Sequence, residues 1–319
     1  MTAFSSSRFS AVLGRSASAR RPRAGARRRR ELVAPYLFLA PGFALFALVI
    51  LYPIGRALQV SLYTWSIVPG TASTFIGLHN YGRELHDPIF WKGLENTAFY
   101  MAVTVPAQIV LGLAVAVLLD GRMPGRTVFR VIYYLPVVTS WVVVSLLFRY
   151  LFATQGVVNW VLHDGTHVTG HDVDWLGNRW PALLVISLLG VWKGIGWSMV
   201  IFLAALQSVP AELKEAAAVD GAGAWARFRA VSLPALRPVI AVVTVMLVIG
   251  GFNVFISVLL ITNGGPINET QVLLVYMYQQ AFSFLDFGYG SALAFTVTLI
   301  VLVLSLAQLR LFRRRAAVA

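Results

Sequence analysis

The chain has 319 residues, of which 58% are hydrophobic and only 12% are charged. A soluble domain of this length could not bury so much apolar surface, so the composition excludes a soluble protein and predicts a protein of the lipid bilayer. The chain has no cysteine, which excludes disulfide bonds and thiolate metal sites.

The net charge of +13 is concentrated at the two ends of the chain. Nine arginines lie in the first thirty residues, and four more lie in the last ten. Arginine beside hydrophobic spans is typical of the cytoplasmic side of a membrane, whereas a nucleic-acid-binding protein needs a continuous basic face, which this sequence lacks. Residues 1–31 are predicted to be a disordered cytoplasmic tail, with an organellar transit peptide as the alternative, and residues 32–319 to form the transmembrane domain.

Six apolar stretches are long enough to cross a bilayer as helices, which takes about 20 residues each. No stretch shows the strict alternation of a transmembrane β-strand. The predicted fold class is therefore an all-α membrane protein with six transmembrane helices, at residues 34–57, 97–119, 128–152, 181–207, 238–261 and 288–309.

The basic residues between the spans predict the orientation. With the N-terminus in the cytoplasm, most of the 26 lysines and arginines lie on the inner side. We therefore expect a multi-pass protein with both termini in the cytoplasm. The loop between the fourth and fifth spans, residues 208–237, is then cytoplasmic.

This inner loop has the composition of two short helices joined by a corner. Ser208 and Pro210 are typical of a helix start, and the segment "AELKEAAAV" after them consists of strong helix formers. Gly221 is expected to end that helix in a left-handed conformation, and Leu233 with Pro234 to end the second helix before the fifth span. Such a loop is either a solvated connector or a rigid protrusion that docks into a groove of another protein.

The same loop resembles the signature loop of the membrane subunits of bacterial ABC importers. The family pattern is E-A-A, three residues, G, nine residues, a β-branched residue, one residue, and L-P. Valine stands here where the family more often has isoleucine. Over residues 33–313, weaker segments such as "YYLP", "TNGGP" and "DFGYGSALA" resemble the sugar-importer branch, the relatives of the maltose and glycerol-3-phosphate permeases. The signature residues are Glu215, Ala216, Ala217, Asp220, Gly221, Ala222, Val231, Leu233 and Pro234.

The resemblance implies the type I ABC importer permease fold, in which this loop holds a coupling helix that docks into a separate ATPase subunit. Gly221 would form the turn and Glu215 a charged or capping contact. It also implies a second homologous permease, two ATPase copies that bind ATP and magnesium, and an extracytoplasmic binding protein that delivers a sugar. A heterodimeric channel in a bacterial cell membrane is expected, with a homodimer left open. Importers of other small solutes share the loop.

The residues themselves predict that the energy comes from a partner. None of the three lysines, Lys92, Lys193 and Lys214, is followed by Ser or Thr, so the chain has no Walker A loop and is not expected to hydrolyse ATP. An ion-coupled secondary transporter is the alternative. It is disfavoured because all thirteen acidic residues lie outside the six predicted spans.

An intramembrane metalloenzyme is a third class of function. Its metal would have to bind in the outer loop after the third span, which holds His163, His167, His171, Asp164, Asp172 and Asp174. Glycines and threonines between these residues argue against the helix that would align the imidazoles. We therefore expect a solvated loop there, no metal, no catalytic residue and no cofactor bound by this chain.

Polar side chains inside the spans are candidates for a substrate path, because such groups usually face a bundle interior or a cavity. Lys193 lies in the fourth span between Trp192 and Trp197, where an ammonium and indole faces would suit a sugar. The alternative is a lysine bonded by backbone carbonyls at a helix interface. Gln108 and Asn253 are further candidates, and interhelical hydrogen bonding explains them equally well.

Overall fold

The computed structural model describes residues 24–67, 70–121 and 123–317, with side chains described for 35–67, 70–121 and 123–312. One antiparallel strand pair, β1 (Tyr63–Thr64) and β2 (Thr74–Phe75), lies among the helices of this part of the chain. The helices are α1 (Ala24–Phe46), α2 (Tyr52–Ser61), α3 (His79–His86), α4 (Pro88–Asp120), α5 (Arg126–Val138), α6 (Trp141–Leu151), α7 (Val157–Asn159), α8 (Arg179–Gln207), α9 (Ala211–Val219), α10 (Ala224–Arg227), α11 (Leu233–Phe252), α12 (Ile256–Ile261), α13 (Leu273–Tyr278) and α14 (Phe287–Ala317). Short π-helical turns follow α1, α7, α10 and α13, at Ala47–Leu51, Trp160–Gly165, Phe228–Ser232 and Gln279–Ser283.

The chain divides into two compact units, Met1–Arg56 and Ala57–Ala319. Residues 1–23 of the predicted tail lie outside the described residues. Helix α1 begins at Ala24, so it starts before the boundary predicted at residue 31. Alanine and arginine are strong helix formers, and they lead directly into the apolar segment of α1. The candidate sites described below all lie in the second unit.

Five helical segments of the described chain are long and apolar enough to cross a membrane, and one bent helix pair could supply a sixth span. The five are Pro35–Ser61, Pro88–Asp120, Arg179–Gln207, Ala224–Ile261 and Phe287–Phe312. The pair is α5 and α6, whose axes are bent by 92°. The predicted third span, residues 128–152, is therefore broken rather than continuous, because Thr139 and Ser140 adopt extended backbone between the two helices.

Two span boundaries also differ from the prediction. Helix α4 begins at Pro88 rather than at residue 97, because Asp87 caps it by accepting a hydrogen bond from the Ile89 N–H at 2.9 Å and proline suits a first turn. Glu95 and Asp120 consequently belong to the second span helix, although they were predicted to lie outside it.

Leu233 and Pro234 begin α11 instead of ending the loop helix. Proline is tolerated in a first turn, where its missing N–H has no intrahelical partner to lose. Within the candidate span Ala224–Ile261, helix α11 stops at Phe252, and residues 253–255 separate it from α12.

Helices α4 and α8 form the centre of the second unit. At their crossing, a Cβ added to Gly112 would lie 2.6 Å from the Ser198 Cβ, so the absence of a side chain lets the two backbones approach. Buried side chains of α4, α8 and α11, including Leu119, Phe202 and Leu236, surround one end of this contact. Helices α4 and α8 therefore pack closely against each other, and α11 lies against both.

Candidate functional site

Helix α9 and the turn after it hold the E-A-A segment of the signature loop. The Ala222 N–H donates to the Ala217 carbonyl at 3.0 Å and the Gly221 N–H to the Ala218 carbonyl at 3.1 Å, the two bonds of a Schellman motif. Gly221 has φ +80°, the left-handed conformation that its position predicts. The corner between the two loop helices is thus set by backbone geometry that favours glycine.

The start of α9 differs from the prediction. Pro210, with extended backbone, occupies the cap position, and no side chain bonds to the first turn. The Ser208 hydroxyl instead donates to the Ala205 carbonyl at 2.8 Å, at the end of α8. Because α8 continues to Gln207, this serine satisfies a carbonyl of the preceding helix rather than an N–H of the next one.

The surface of the loop is apolar as well as exposed. Val219 is 88% exposed and Trp225 is 72% exposed, with the Trp225 ring stacked on Phe228 at 5.4 Å between centroids. Glu215 and Ala216 are also exposed, whereas Ala217 is half-buried. A solvated connector has no need of large exposed apolar side chains, so this surface suits a protein contact.

The contact of Lys214 with Asp120 was not predicted from the sequence. The Lys214 ammonium donates to Asp120 Oδ2 at 3.0 Å and to the Leu206 carbonyl at 3.3 Å. Lys214 and Asp120 are 94 residues apart. The only sequence signals were an acidic residue at the end of a span and a basic residue beside the signature Glu215.

Lys193 is buried, with 3% of its surface exposed. Its ammonium donates to the carbonyls of Pro136 at 2.7 Å and Thr139 at 2.5 Å, and more weakly to that of Val137 at 3.3 Å. These carbonyls lie at the C-terminal end of α5, where the third span breaks. Of the two hypotheses for this lysine, the structure therefore supports the one bonded by backbone carbonyls.

A cavity of about 210 Å³ lies between α4, α8 and α11, with Trp141 of α6 at its wall. The predicted candidates Gln108 and Trp197 line it, together with several residues that were not predicted: Tyr100, Thr104, Gly190, Gly194, Met246, Leu247, Gly250 and Gly251. Tyr100, Thr104 and Gln108 are spaced four apart, as are Gly190 and Gly194. This helical spacing was a signal that sequence reasoning could have used.

The other three candidates do not line the cavity. Lys193 bonds to the carbonyls of α5, and Trp192 is 40% exposed with its ring 6.0 Å from that of Phe148. The exposed Asn253 donates to the Ile249 carbonyl of its own helix at 2.8 Å. Of the five predicted side chains, Gln108 and Trp197 are therefore the two that line this cavity.

Two glycines of α8 bring polar groups of α4 to the cavity. A Cβ on Gly190 would lie 2.3 Å from Tyr100 Oη, and a Cβ on Gly194 would lie 2.1 Å from Gln108 Oε1. The Gln108 amide also donates to the Gly190 carbonyl at 3.3 Å. Gln108 therefore both forms an interhelical hydrogen bond and lines the cavity.

The histidine segment is partly helical, contrary to the expected loop. His163 lies in the π-helical turn Trp160–Gly165, and its Nδ1 is 3.1 Å from Asp172 Oδ1. Helix α7 continues directly into this turn. The helical conformation therefore ends only at Gly165. Within the described residues, no group of three or more His, Asp or Glu side chains is placed to hold a metal ion.

Glu84 of α3 is a buried carboxyl outside the spans. Burial raises its pKa to about 7, the negative charge of Asp87 adds to this, and a 2.6 Å hydrogen bond from the Thr296 hydroxyl to Oε2 opposes it. Its Oε1 is buried without a hydrogen-bond partner among the described residues. An ionised Glu84 is therefore an unfavourable feature of the folded state.

This carboxyl makes stability depend on pH. The folded state keeps the Glu84 proton up to a higher pH than the unfolded state does, so stability falls as pH rises from about 4.5 and levels off above about 7. The total change is at most about 3 to 4 kcal/mol. Glu84→Gln should remove this pH dependence and raise the unfolding midpoint of the detergent-solubilised protein at pH 8. An unchanged slope in the variant would show that other groups cause it.

Comparisons with known proteins agree with this architecture. Residues 108–317 match the family described as "Binding-protein-dependent transport system inner membrane component". The chain is similar to the lactose transport system permease protein LacF of Rhizobium radiobacter, with 36% identity over 284 residues, 88% of this chain and 94% of that protein. It is equally similar to the arabinooligosaccharides transport system permease protein AraP of Halalkalibacterium halodurans, with 36% identity over 289 residues and 88% of each chain.

Its fold is that of a chain in a solved bacterial alginate ABC transporter, crystallised with an alginate pentasaccharide-bound periplasmic protein. The TM-score is 0.77 at 24% identity, over 91% of this chain and 96% of that one. The predicted fold class and importer resemblance are thereby confirmed. The chain belongs to the family of inner membrane components of binding-protein-dependent transport systems.

Proposed function

We propose that this subunit imports a sugar or sugar-like solute, which crosses the membrane through the cavity between α4, α8 and α11. The cavity itself carries the proposal. It combines the aromatic rings of Tyr100 and Trp197 with the hydrogen-bonding groups of Thr104 and Gln108. Sugars present apolar ring faces and many hydroxyls, which such a mixed surface can bind.

The relatives support the solute class. The names of LacF and AraP assign them to lactose and to arabinooligosaccharides. The volume of about 210 Å³ is below the ~300 Å³ at which drug-sized ligand pockets begin. We therefore expect the cavity to hold one sugar ring at a time. An importer of another small solute is the alternative, while family membership argues against an ion-coupled carrier.

The partners follow from the exposed loop. Its surface around Val219 and Trp225 is proposed to dock into an ATPase subunit that binds ATP and magnesium. The proposed assembly pairs this chain with a second homologous permease, expected as a heterodimer, above two ATPase subunits. An extracytoplasmic binding protein delivers the solute. Both termini and residues 208–237 then face the cytoplasm of a bacterial cell.

Transport follows an alternating-access cycle in this proposal. ATP binding closes the ATPase pair and draws the coupling helices together. The channel opens outward and takes the solute from the binding protein, and hydrolysis resets it. The described residues of this chain only bind the solute and move around it.

Trp197→Ala tests the cavity, with Trp192→Ala as its matched control. Loss of an indole stacked on a sugar ring removes about 1.5 kcal/mol of binding, or roughly a tenfold rise in KM for uptake. Trp192 lies on the same helix but outside the cavity, so its variant should keep the wild-type KM. Uptake by the whole complex in proteoliposomes is the measurement. Equal effects of the two substitutions would contradict the proposed path.

A further inference from the structure

Lys214 of α9 lies between the ends of two spans. Its ammonium is 3.0 Å from the carboxylate of Asp120, the last residue of α4, and 3.3 Å from the carbonyl of Leu206, in the last turn of α8. The side chains of Lys214 and Asp120 are 30% and 25% exposed. One side chain of the loop helix thus contacts the second and the fourth span together.

The charges make this position favourable. The C-terminal end of a helix carries a partial negative charge, so a carboxylate there is unfavourable and an ammonium is favourable. Asp120 adds its own negative charge to the end of α4. Lys214 neutralises that charge and also satisfies a carbonyl of α8. Both spans therefore favour keeping α9 where it is.

The two spans that Lys214 joins carry most of the cavity wall. Gly112 packs against Ser198, and the Gln108 amide bonds to the Gly190 carbonyl, so α4 and α8 pack as one unit. A force on α9 reaches α8 through residues 208–210. Among the described residues Lys214 makes the one ion pair between α9 and a span, which gives such a force a direct contact with α4.

We infer that Lys214 and Asp120 are a pair of positioning residues that couples the docked loop helix to the second span, so that displacement of α9 by the ATPase moves the cavity wall. This inference rests on the proposed function, because it needs an ATPase at the loop. Neither side chain touches the solute. The pair sets how efficiently ATP hydrolysis is converted into import.

The test compares import and ATP hydrolysis in proteoliposomes that hold the complete importer. Lys214→Met and Asp120→Asn should each lower the number of solutes imported per ATP at least fivefold. The double variant Lys214→Asp, Asp120→Lys should raise this ratio at least twofold above that of either single variant; its recovery is partial, because aspartate cannot donate to the Leu206 carbonyl. Lys92→Met is the matched control, since it breaks the 2.7 Å ion pair between Lys92 and Glu269 near the other end of α4. It should leave the ratio unchanged.

Co-purification of the ATPase subunits accompanies each measurement. Retained ATPase with a lowered ratio, partly restored by the charge exchange, is the expected result. Loss of the ATPase from the Lys214→Met complex would overturn the inference, because Lys214 would then be a docking contact. A wild-type ratio in both single variants would overturn it as well. Failure of the proposed function is distinct, since the wild-type complex itself would then show no ATP-driven uptake.

Discussion

Gly221→Val is expected to abolish solute uptake while the protein still inserts into the membrane. Gly221 has φ +80°, and a β-branched residue is strained in that conformation. Apart from its two chain neighbours, no atom of the described residues lies within 4 Å of the position of an added Cβ, so the strain comes from the backbone. Left-handed backbone costs an ordinary residue about 1–2 kcal/mol, and relief of this strain would open the Schellman turn and reorient α9. Uptake and ATPase co-purification are to be measured, and both should fall.

Gly221→Asn is the matched control, because asparagine tolerates the left-handed conformation and the site has room for its side chain. We expect it to retain most of the uptake. If valine and asparagine were tolerated equally well, backbone conformation at the corner would not matter for coupling. If both abolished uptake with the ATPase still bound, the absence of a side chain, rather than the turn, would be the requirement.

Lys193→Met should destabilise the protein without changing its affinity for the solute. The substitution removes the ammonium from the carbonyls of Pro136, Val137 and Thr139 at the break between α5 and α6. The carbonyls of Val137 and Thr139 would then lose this donor in an apolar environment, at a cost of about 1–3 kcal/mol, whereas the Pro136 carbonyl keeps the Thr139 hydroxyl at 2.6 Å. The thermal unfolding midpoint in detergent should fall, and the total uptake per cell should fall with it.

The same substitution at Lys92 provides the control, since an ion pair whose partners are about one-third exposed contributes at most about 1 kcal/mol. Uptake by the folded fraction of Lys193→Met should show the wild-type KM, because Lys193 does not line the cavity. A stable variant with altered KM would contradict this account. It would return Lys193 to the substrate path.

The parts of the fold that could be predicted are those with local signals. Gly221 was predicted to be left-handed because a run of helix formers stops at it. The long apolar helices could be predicted because a run of about 20 apolar residues is by itself enough to indicate a membrane-spanning helix. The signature loop was found because its residues keep a fixed spacing along the chain.

The remaining features depend on contacts between distant segments. The break in the third span lies in a continuous apolar run, and its carbonyls are satisfied by Lys193, more than fifty residues away. Lys214 meets Asp120 only because α4 and α8 end side by side. The start of α4 was missed because polar residues of its first turns, such as Glu95, pair with other segments outside the apolar core of the span.

We conclude that this chain forms the channel of a binding-protein-dependent sugar importer. The most direct test is uptake of labelled mono- and disaccharides into proteoliposomes that contain this chain, its partner permease and the ATPase subunits, with ATP enclosed and the binding protein outside. We predict saturable uptake of at least one sugar that requires both ATP and the binding protein. Uptake by this chain alone, driven by a proton or sodium gradient and indifferent to ATP, would contradict the claim.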